Sequence, residues 1–373
     1  MKTTITRAAL ADAVQAVKGL VSKDGLSAFS KVRLDASGSL SVTGSNGDVQ
    51  VEWRLEDGEI ENTGTVTVPG TAFASFVGAM PEGVVEIDDH GGKKVKMEGG
   101  GVVFKLAAGD AMDFPVMAGP KDETRAKLSL PRLTLREMLR KVKFAVSTDA
   151  TRKALEGVNI DLKDGKLGMT ATDGRRLAHV EMEITPDGAG GSGQCNITLP
   201  TKTVSILYGL LERMDEGDVD MVFDGSAVRI VGDKWGMTAK VLAEAYPNWH
   251  KVVPEDKRDT HLIRMKRMMF LEAMGRAALA SDETSGVKIT IVNGRATFEA
   301  RNDITSAKTD MPVEDVDNVK CEFRVNPRLM KDALEVIDDG EFILHTDCGN
   351  STPFKLTCTV PWVAVIMPYR KEG

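Results

Sequence analysis

The sequence has few cysteines, few histidines and no long apolar run. Neither the five histidines nor the four cysteines are spaced like metal ligands, and the cysteines, which form no Cys-x-x-Cys pair, are Cys195, Cys321, Cys348 and Cys358. We therefore expect reduced thiols, no metal and no cofactor. The residues Met1–Thr6 lack the apolar core of a signal peptide, and no apolar run approaches the ~18 residues of a membrane span. The sequence thus predicts a cytoplasmic protein without membrane association.

The chain also lacks an excess of positive charge. Its 373 residues carry a formal net charge of −7. This balance excludes a uniformly basic nucleic-acid binder, but it is compatible with one basic face on an otherwise acidic protein.

Motifs for nucleotide binding or catalysis are missing as well. There is no Walker A sequence, no Gly-x-Ser-x-Gly elbow and no acid–base or nucleophile set. Residues Gly188–Gly193 fit Gly-x-Gly-x-x-Gly, but they precede a strand-like segment rather than a helix, so we interpret them as a flexible loop. The sequence predicts a protein without catalytic residues.

A β-hairpin around Asp173-Gly174 is the most informative local pattern. Residues 167–172 alternate between apolar and polar or small side chains, as in a half-buried strand, and Arg176–Met182 forms the return strand. Asp-Gly favours a tight turn, because glycine tolerates positive φ and aspartate bonds its own backbone. Two arginines, Arg175 and Arg176, lie at this turn.

The hairpin belongs to a unit that recurs three times. The strand openings at Val32, Val158 and Val287 follow one another at intervals of about 125–130 residues, which indicates internal repeats. Each unit is predicted as a helix, two strands, a second helix and a further strand group. Each second helix begins near a proline and ends near a glycine; these are Pro69, Pro200, Pro327 and Gly83, Gly217, Gly340.

The helices are amphipathic and carry basic residues on their outward faces. In the second unit, Thr134 and Glu137 are read as a capping box that begins the first helix. At 100° per residue, Arg136, Arg140 and Lys143 fall within ~60° of one another, and we expect all three to be exposed. Basic residues on helices of all three units suggest a shared surface for a polyanion.

Four segments together resemble the bacterial DNA polymerase III beta subunit family of sliding clamps. They are Ala171–Ala178, Tyr246–Pro254, Val365–Arg370 and the Arg152-x-x-Leu155-x-Gly157-Val158 pattern. The resemblance covers the whole chain. It implies an α+β fold with three similar clamp domains per chain, which we place at residues 1–125, 126–253 and 254–373.

The resemblance also implies how such a chain works. Two copies would form a head-to-tail dimeric ring with helices inside and sheets outside. The ring would encircle double-stranded DNA without sequence preference, because contacts to phosphate alone carry no sequence information. Its partners would be the replicative polymerase, the clamp loader, and repair polymerases and ligase-type clients.

Three sets of site residues follow from the resemblance. The groove for partner peptides would contain Leu155, Thr172, Gly174, Arg175, Arg176, Leu177, Pro247, Lys251, Val252, Asn326, Leu329, Val365, Ile366, Met367, Pro368, Tyr369 and Arg370. The DNA-facing residues would be Lys23, Arg136, Arg140, Lys143, Arg152, Lys153 and Lys202. The dimer interface would include Phe104, Leu106 and Leu279.

Two other interpretations fit the sequence. A divergent ring could lack the usual peptide groove, and a peptide titration would distinguish it from a typical clamp. A three-domain α+β enzyme with its site at a domain junction would instead need a cluster of perturbed titratable groups in one cleft, for which the sequence offers no sign.

Overall fold

The computed structural model describes residues 1–24, 27–89, 91–121, 126–184, 190–213, 216–258, 260–282, 286–314, 319–348 and 352–369. The fold is α+β. The helices are α1 (Arg7–Val17), α2 (Gly70–Ala79), α3 (Arg132–Val142), α4 (Thr201–Glu212), α5 (Arg267–Ala278) and α6 (Pro327–Glu335).

The strands fall into three successive groups. The first is β1 (Lys2–Thr6), β2 (Lys31–Ala36), β3 (Leu40–Ser45), β4 (Val49–Leu55), β5 (Glu59–Asn62), β6 (Thr65–Pro69), β7 (Val84–Asp88), β8 (Lys94–Gly99) and β9 (Val102–Ala107). The second is β10 (Ala126–Pro131), β11 (Gly157–Lys163), β12 (Lys166–Thr172), β13 (Arg176–Glu183), β14 (Gly190–Ser192), β15 (Cys195–Pro200), β16 (Asp218–Phe223), β17 (Ala227–Val231) and β18 (Trp235–Lys240). The third is β19 (His261–Lys266), β20 (Val287–Val292), β21 (Arg295–Arg301), β22 (Ser306–Pro312), β23 (Lys320–Val325), β24 (Glu341–Thr346), β25 (Phe354–Thr357) and β26 (Trp362–Ile366).

The element order confirms the threefold repeat and adds strands that the sequence did not reveal. Each repeat reads strand, helix, strand group, helix, three strands. A strand precedes each first helix, which the periodicity did not predict. The Gly-rich segment also differs from the predicted loop, because Gly190–Ser192 pairs with β10; residues 185–189 lie outside the described part of the chain.

The hairpin turns of the three repeats share one geometry. In each, the backbone N–H of the first turn residue donates to the carbonyl three residues later, and its side-chain oxygen accepts from the backbone N–H groups of the two residues that end the turn. The first turn residues are Asn46, Asp173 and Asn302. Asx side chains that bond their own backbone are typical of such turns.

The chain divides into two compact units, each with its own sheets. One unit comprises residues 1–136, 185–195 and 202–241, and holds a five-stranded sheet (β5-β1-β7-β8-β9) and a nine-stranded sheet (β14-β10-β16-β17-β18-β4-β3-β2-β6). The other comprises the remaining residues, and holds an eight-stranded sheet (β15-β11-β12-β13-β26-β25-β24-β19) and a four-stranded sheet (β22-β21-β20-β23). In each large sheet a strand of one repeat pairs with a strand of the next.

The apolar helix stripes lie in the core, as predicted. Phe73, Leu207 and Leu334 of the three second helices are at most 1% exposed. Leu10 and Leu139 of the first helices are fully buried. Each helix therefore buries one face within its own part of the chain.

An arginine begins each first helix and caps the second helix of the same repeat. Its backbone N–H donates to a glycine carbonyl, and its guanidinium donates to carbonyls at or just beyond the end of the second helix. The arginines are Arg7, Arg132 and Arg267, and the glycines are Gly83, Gly217 and Gly340. Helix α3 thus begins at Arg132, so the predicted capping box from Thr134 is wrong. A cation at a helix C-terminus interacts favourably with the helix dipole, and its N–H groups satisfy carbonyls that have no partner within the helix.

Replacing Arg267 with alanine is expected to lower the free energy of unfolding by about 1–3 kcal/mol, because charged donors to two carbonyls are lost. Its Nε lies 3.2 Å from the Asp339 carbonyl oxygen and its Nη1 lies 3.4 Å from that of Leu334. The control is Arg276→Ala on the same helix, which removes an exposed pair with Glu272 and should cost less than ~0.5 kcal/mol. Urea denaturation measures both; equal losses would contradict the capping role.

The cysteine prediction is wrong for one pair. Cys321 and Cys348 form a disulfide, with Cα atoms 4.6 Å apart, while Cys195 and Cys358 are not bridged. The pair is 27 residues apart in sequence, and only the folding of β23 against the turn after β24 brings it together. Spacing alone therefore did not reveal it.

Candidate functional site

The hairpin between β12 and β13 is held rigid by its own hydrogen bonds. Asp173 Oδ1 accepts from the N–H groups of Arg175 (2.8 Å) and Arg176 (2.9 Å). Thr172 Oγ1 donates to the Arg176 carbonyl at 2.6 Å. Gly174 has φ +82°, so a side chain here would be strained, and its Cβ would also meet the Arg152 guanidinium.

Of the two arginines at the turn, only Arg175 is exposed. The side chain of Arg176 is 11% exposed and forms ion pairs with Asp173 (3.1 Å) and with Asp332 of α6 (2.5 Å). Its guanidinium also lies 5.4 Å from the ring centre of Phe144. Arg176 therefore ties the hairpin to α6, which the sequence did not indicate, and Arg175 is the arginine that a ligand can reach.

Arg152 lies beside the same turn. Its Nη1 donates to the Asp173 carbonyl at 3.2 Å, and its Nε is 3.6 Å from Asp149 Oδ2. A pocket of about 570 Å³ opens here, with Arg152, Lys153, Leu155 and Pro247 among its lining residues. Arg152 was assigned to the DNA-facing set from the resemblance, yet its contacts place it with the peptide-groove residues.

The apolar residues of the predicted groove differ in accessibility. Leu177 and Val365 are paired neighbours in the sheet, and each is only 1% exposed. Ile366 is fully buried and, by strand alternation, faces away from Val365. Met367 is half-buried, and its N–H donates to the Arg175 carbonyl at 2.9 Å.

The remaining groove residues complete this picture. Leu155, Thr172 and Leu329 are half-buried, Pro368 is buried, and Pro247, Lys251 and Val252 are exposed. Asn326 Oδ1 caps α6 by accepting from the N–H groups of Arg328 and Leu329. Tyr369 is half-buried, and its N–H donates to the Arg324 carbonyl. Arg370 lies outside the described residues. The apolar residues of the predicted groove that keep accessible surface are therefore Leu155, Pro247, Val252, Leu329 and Met367.

A connecting segment, residues 242–258, packs on the sheet face to which Leu177 and Val365 belong. Trp249 packs against His179, which follows Leu177 on the same sheet face, with ring centres 4.2 Å apart. Further along, Asp256 accepts from Lys355 (2.7 Å) and contacts His345 (2.9 Å). The segment thus runs over the face of the eight-stranded sheet that carries His179, His345 and Lys355.

His179 is expected to make this packing sensitive to acid. Burial against Trp249, opposed by Glu181 and reinforced by His250, lowers the pKa of His179 to about 4. The folded state therefore favours the neutral ring, so stability is complete above the unfolded pKa of about 6.5 and falls as the pH drops towards 4. Between pH 7 and 4.5, wild type should lose about 2–3 kcal/mol more than His179→Phe, as measured by urea unfolding. Parallel losses would contradict the assignment.

The predicted DNA-facing residues differ in exposure. Lys23, Lys143, Lys153 and Lys202 are exposed. Arg136 and Arg140 are half-buried, and Arg140 is held by Glu137 (2.6 Å) and Asp338 (2.5 Å), so the prediction that both are exposed is wrong. Helix α3 ends at Val142, so Lys143 lies in a following 3₁₀ turn rather than on the same helical stripe.

Lys141, next to Arg140 on α3, makes buried contacts with the third repeat. It is 4% exposed, and its Nζ donates to the Val336 carbonyl (2.6 Å) and to Asp338 (2.9 Å). Trp362 Nε1 donates to the Lys141 carbonyl at 3.0 Å. These bonds join α3 of the second repeat to α6 and β26 of the third.

Of the predicted interface residues, one is buried within its own sheet. Leu106 is 3% exposed, because alternation along β9 points it into the core. Phe104 is half-buried and stacks on Phe76 of α2 at 4.3 Å. Leu279 is 85% exposed at the end of α5.

The described residues contain no group of three or more His, Cys, Asp or Glu side chains arranged to hold a metal ion. Among the helices described, none is long and apolar enough to span a membrane.

Comparison with known proteins gives a consistent result. Residues 1–118 match the N-terminal domain of the DNA polymerase III beta subunit, and residues 129–248 match its central domain. The beta sliding clamp of Caulobacter vibrioides is 30% identical over 343 residues, which is 89% of each chain, and that of Bacillus subtilis is 27% identical over 369 residues, 95% of each chain.

Solved structures agree in fold. The DNA polymerase III beta subunit of Pseudomonas aeruginosa has a TM-score of 0.89 at 26% identity, covering 99% of this chain and 100% of that one. The DNA polymerase sliding clamp of B. subtilis has a TM-score of 0.90 at 26% identity, covering 99% of each chain. The fold is therefore that of the sliding clamps. More particularly, the chain belongs to the bacterial DNA polymerase III beta subunit family.

Proposed function

We propose that this protein is a DNA sliding clamp, a ring that encircles duplex DNA and tethers the replicative polymerase for processive synthesis. The observation that carries the proposal is the 30% identity to a beta sliding clamp along 89% of both chains. In this role the protein acts in the cytoplasm and catalyses no reaction itself.

The chain is proposed to contain three domains, at residues 1–125, 126–253 and 254–373. The repeated element order supports this division, and so do the two family matches, which end at 118 and begin at 129.

Ring closure by a second copy is supported by the edges of the sheets. Within the chain, the third strand after each first helix, β4 or β13, pairs with the last strand of the next repeat, β18 or β26. The corresponding strand of the third repeat, β22, is a terminal strand of its sheet, and so is β9, the last strand of the first repeat. A long edge strand with no partner is a hazard that pairing removes. Head-to-tail pairing of β22 with β9 of a second copy would complete the pattern.

The internal pairings also fix the register of that seam. In each internal pair, the residue four positions after the first turn residue pairs with a residue of the next repeat. Gln50 pairs with Thr238, and Leu177 pairs with Val365. In the second and third repeats, the residue four positions after this partner donates its backbone N–H to the strand that precedes the second helix; these donors are Leu242 and Tyr369. In the first repeat the corresponding donor is Gly109, which lies four positions after Lys105. The same positions at the seam are Ser306 and Lys105.

A cysteine at Lys105 and another at Ser306 are expected to form a cross-linked dimer under mild oxidation, because directly opposed residues meet disulfide geometry. Both native residues are exposed. The control combines Lys105→Cys with Asp310→Cys, which lies out of register on the same strand. Non-reducing electrophoresis with an intersubunit band only in the first variant supports the seam; equal bands or none contradict the register.

DNA contact is proposed for the exposed lysines Lys23, Lys143, Lys153 and Lys202. Phosphate contacts of this kind are sequence-blind and depend on salt, which suits a protein that slides. Retention then comes from ring topology rather than from affinity.

Client proteins are proposed to bind the surface around Leu155, Pro247, Met367 and Arg175. The clamp loader, the replicative polymerase, and repair polymerases and ligase-type clients would each insert a short extended peptide. The accessible apolar residues would receive a large apolar anchor, while Arg175 and Arg152 would face its polar groups.

Primer extension tests the function as a whole. With the polymerase and loader of the same source, we expect the protein to lengthen products made in a single binding event. Unchanged product length, with a loader shown to hydrolyse ATP on the primed template, would contradict the clamp function.

A further inference from the structure

A covalent bond ties the two sheets of the third repeat. Cys321 lies on β23, a strand of the four-stranded sheet. Cys348 lies in the turn that follows β24, and β24 is a strand of the eight-stranded sheet. Beside the bond, the rings of Phe323 and Phe354 pack 4.6 Å apart across the same boundary. The disulfide is thus the covalent part of a contact that also includes this ring packing and the hydrogen bond from the Tyr369 N–H to the Arg324 carbonyl on β23.

The two elements joined by this bond carry different walls of the proposed peptide groove. Strand β23 leads directly into Asn326, the cap of α6, and Leu329 lies in the first turn of that helix. Cys348 precedes β25, which pairs with β26 through Lys355 and Val365, and Met367 follows that strand. The bond therefore constrains Leu329 on one wall relative to Met367 on the other.

We propose that Cys321–Cys348 is a reversible redox modification site that controls peptide binding by fixing these two walls. The inference rests on the proposed function. In a reducing cytoplasm, protein disulfides are usually transient or redox-sensing rather than structural. A preorganised groove binds more tightly, because less conformational freedom is lost when the ligand enters.

The exposure of the two cysteines gives the order of the reaction. Cys321 is fully buried, whereas Cys348 is half-buried, so a small thiolate reaches Cys348 first. In reduction, a glutathione thiolate attacks Cys348 Sγ, the S–S bond breaks, and Cys321 leaves as a thiolate that takes a proton from water. A second glutathione then frees Cys348, so two glutathione thiols become one glutathione disulfide. Oxidation is the reverse exchange, with glutathione disulfide as the two-electron oxidant.

The test is a peptide titration of the full chain in buffers of reduced and oxidised glutathione. The probe is a fluorescent peptide with a leucine–phenylalanine anchor. Reduction is expected to weaken peptide binding roughly twofold to tenfold, because the side chains of one groove wall must then be ordered when the peptide binds. Alkylation and mass spectrometry of the same samples report whether Cys321 and Cys348 are bonded.

Two variants make the result specific. Cys348→Ser should bind like the reduced wild type in both buffers, while Cys195→Ser should keep the full redox response. Free Cys321 and Cys348 in the oxidised buffer, or a bond that forms without changing affinity, would overturn the proposal. If the peptide bound in neither buffer, the proposal would also be overturned. A Cys321–Cys348 bond detected by alkylation in the same samples would then show that the groove assignment is wrong, while the disulfide itself forms.

Discussion

Met367→Lys is expected to abolish binding of an extended client peptide, with an affinity loss of at least about 100-fold, because an ammonium group would replace an apolar wall. Met367 is half-buried, and its backbone N–H already bonds the Arg175 carbonyl, so the chain path should survive the substitution. Fluorescence anisotropy with a labelled leucine–phenylalanine peptide measures the effect.

The matched control is Val360→Lys, at an exposed valine in the turn that precedes β26. It introduces the same charge close in sequence and should leave affinity unchanged. Leu177 is a poorer test residue, since its side chain is 1% exposed and a lysine there would destabilise the fold. If Met367→Lys and Val360→Lys bind the peptide equally well, the groove is placed wrongly.

Leu279→Asp is expected to convert the dimer into monomers and to abolish retention on DNA. Leu279 is 85% exposed, and it occupies the position in its repeat that Phe144 occupies in the second. Phe144 lies against Arg176 at the junction within the chain. Arg176 in turn pairs with Asp332 of the next repeat, so Phe144 lies beside a junction between two repeats. At the proposed seam the repeat next to Leu279 belongs to a second copy, and a carboxylate there would be desolvated without a partner.

Light scattering after gel filtration at micromolar concentration measures the change. Leu262→Asp is the control, because Leu262 is also exposed but lies on β19, away from both proposed edges. Wild type and Leu262→Asp should be dimers and Leu279→Asp a monomer with an unchanged circular dichroism spectrum. A dimer in all three samples would refute the seam.

Local patterns predicted much of this fold. The Asp173-Gly174 turn, the alternation along β12 and the apolar stripes of the helices follow from residue spacing, because each is set by neighbours in the sequence. The threefold repeat emerged for the same reason. The family resemblance then supplied the site residues, and the comparisons confirmed the family.

Contacts between distant parts of the chain could not be predicted in this way. Arg140 looked exposed on a helical wheel, but Asp338 of another repeat holds it. Leu177 looked accessible, but the connecting segment covers its sheet face. The Cys321–Cys348 bond likewise depends on two sheets meeting. The arginine caps could have been predicted from the sequence. An arginine begins the first helix of every repeat, and aligning the repeats on Gly83, Gly217 and Gly340 would have shown that this arginine recurs.

Retention on DNA of different topology tests the clamp proposal most directly. The protein is loaded with ATP and its clamp loader onto a nicked circular plasmid, unbound protein is removed, and the plasmid is cut once. A sliding clamp is expected to stay on the circle and to leave the linear form within minutes at moderate salt. Equal retention on circular and linear DNA would show ordinary affinity and would contradict a sliding ring.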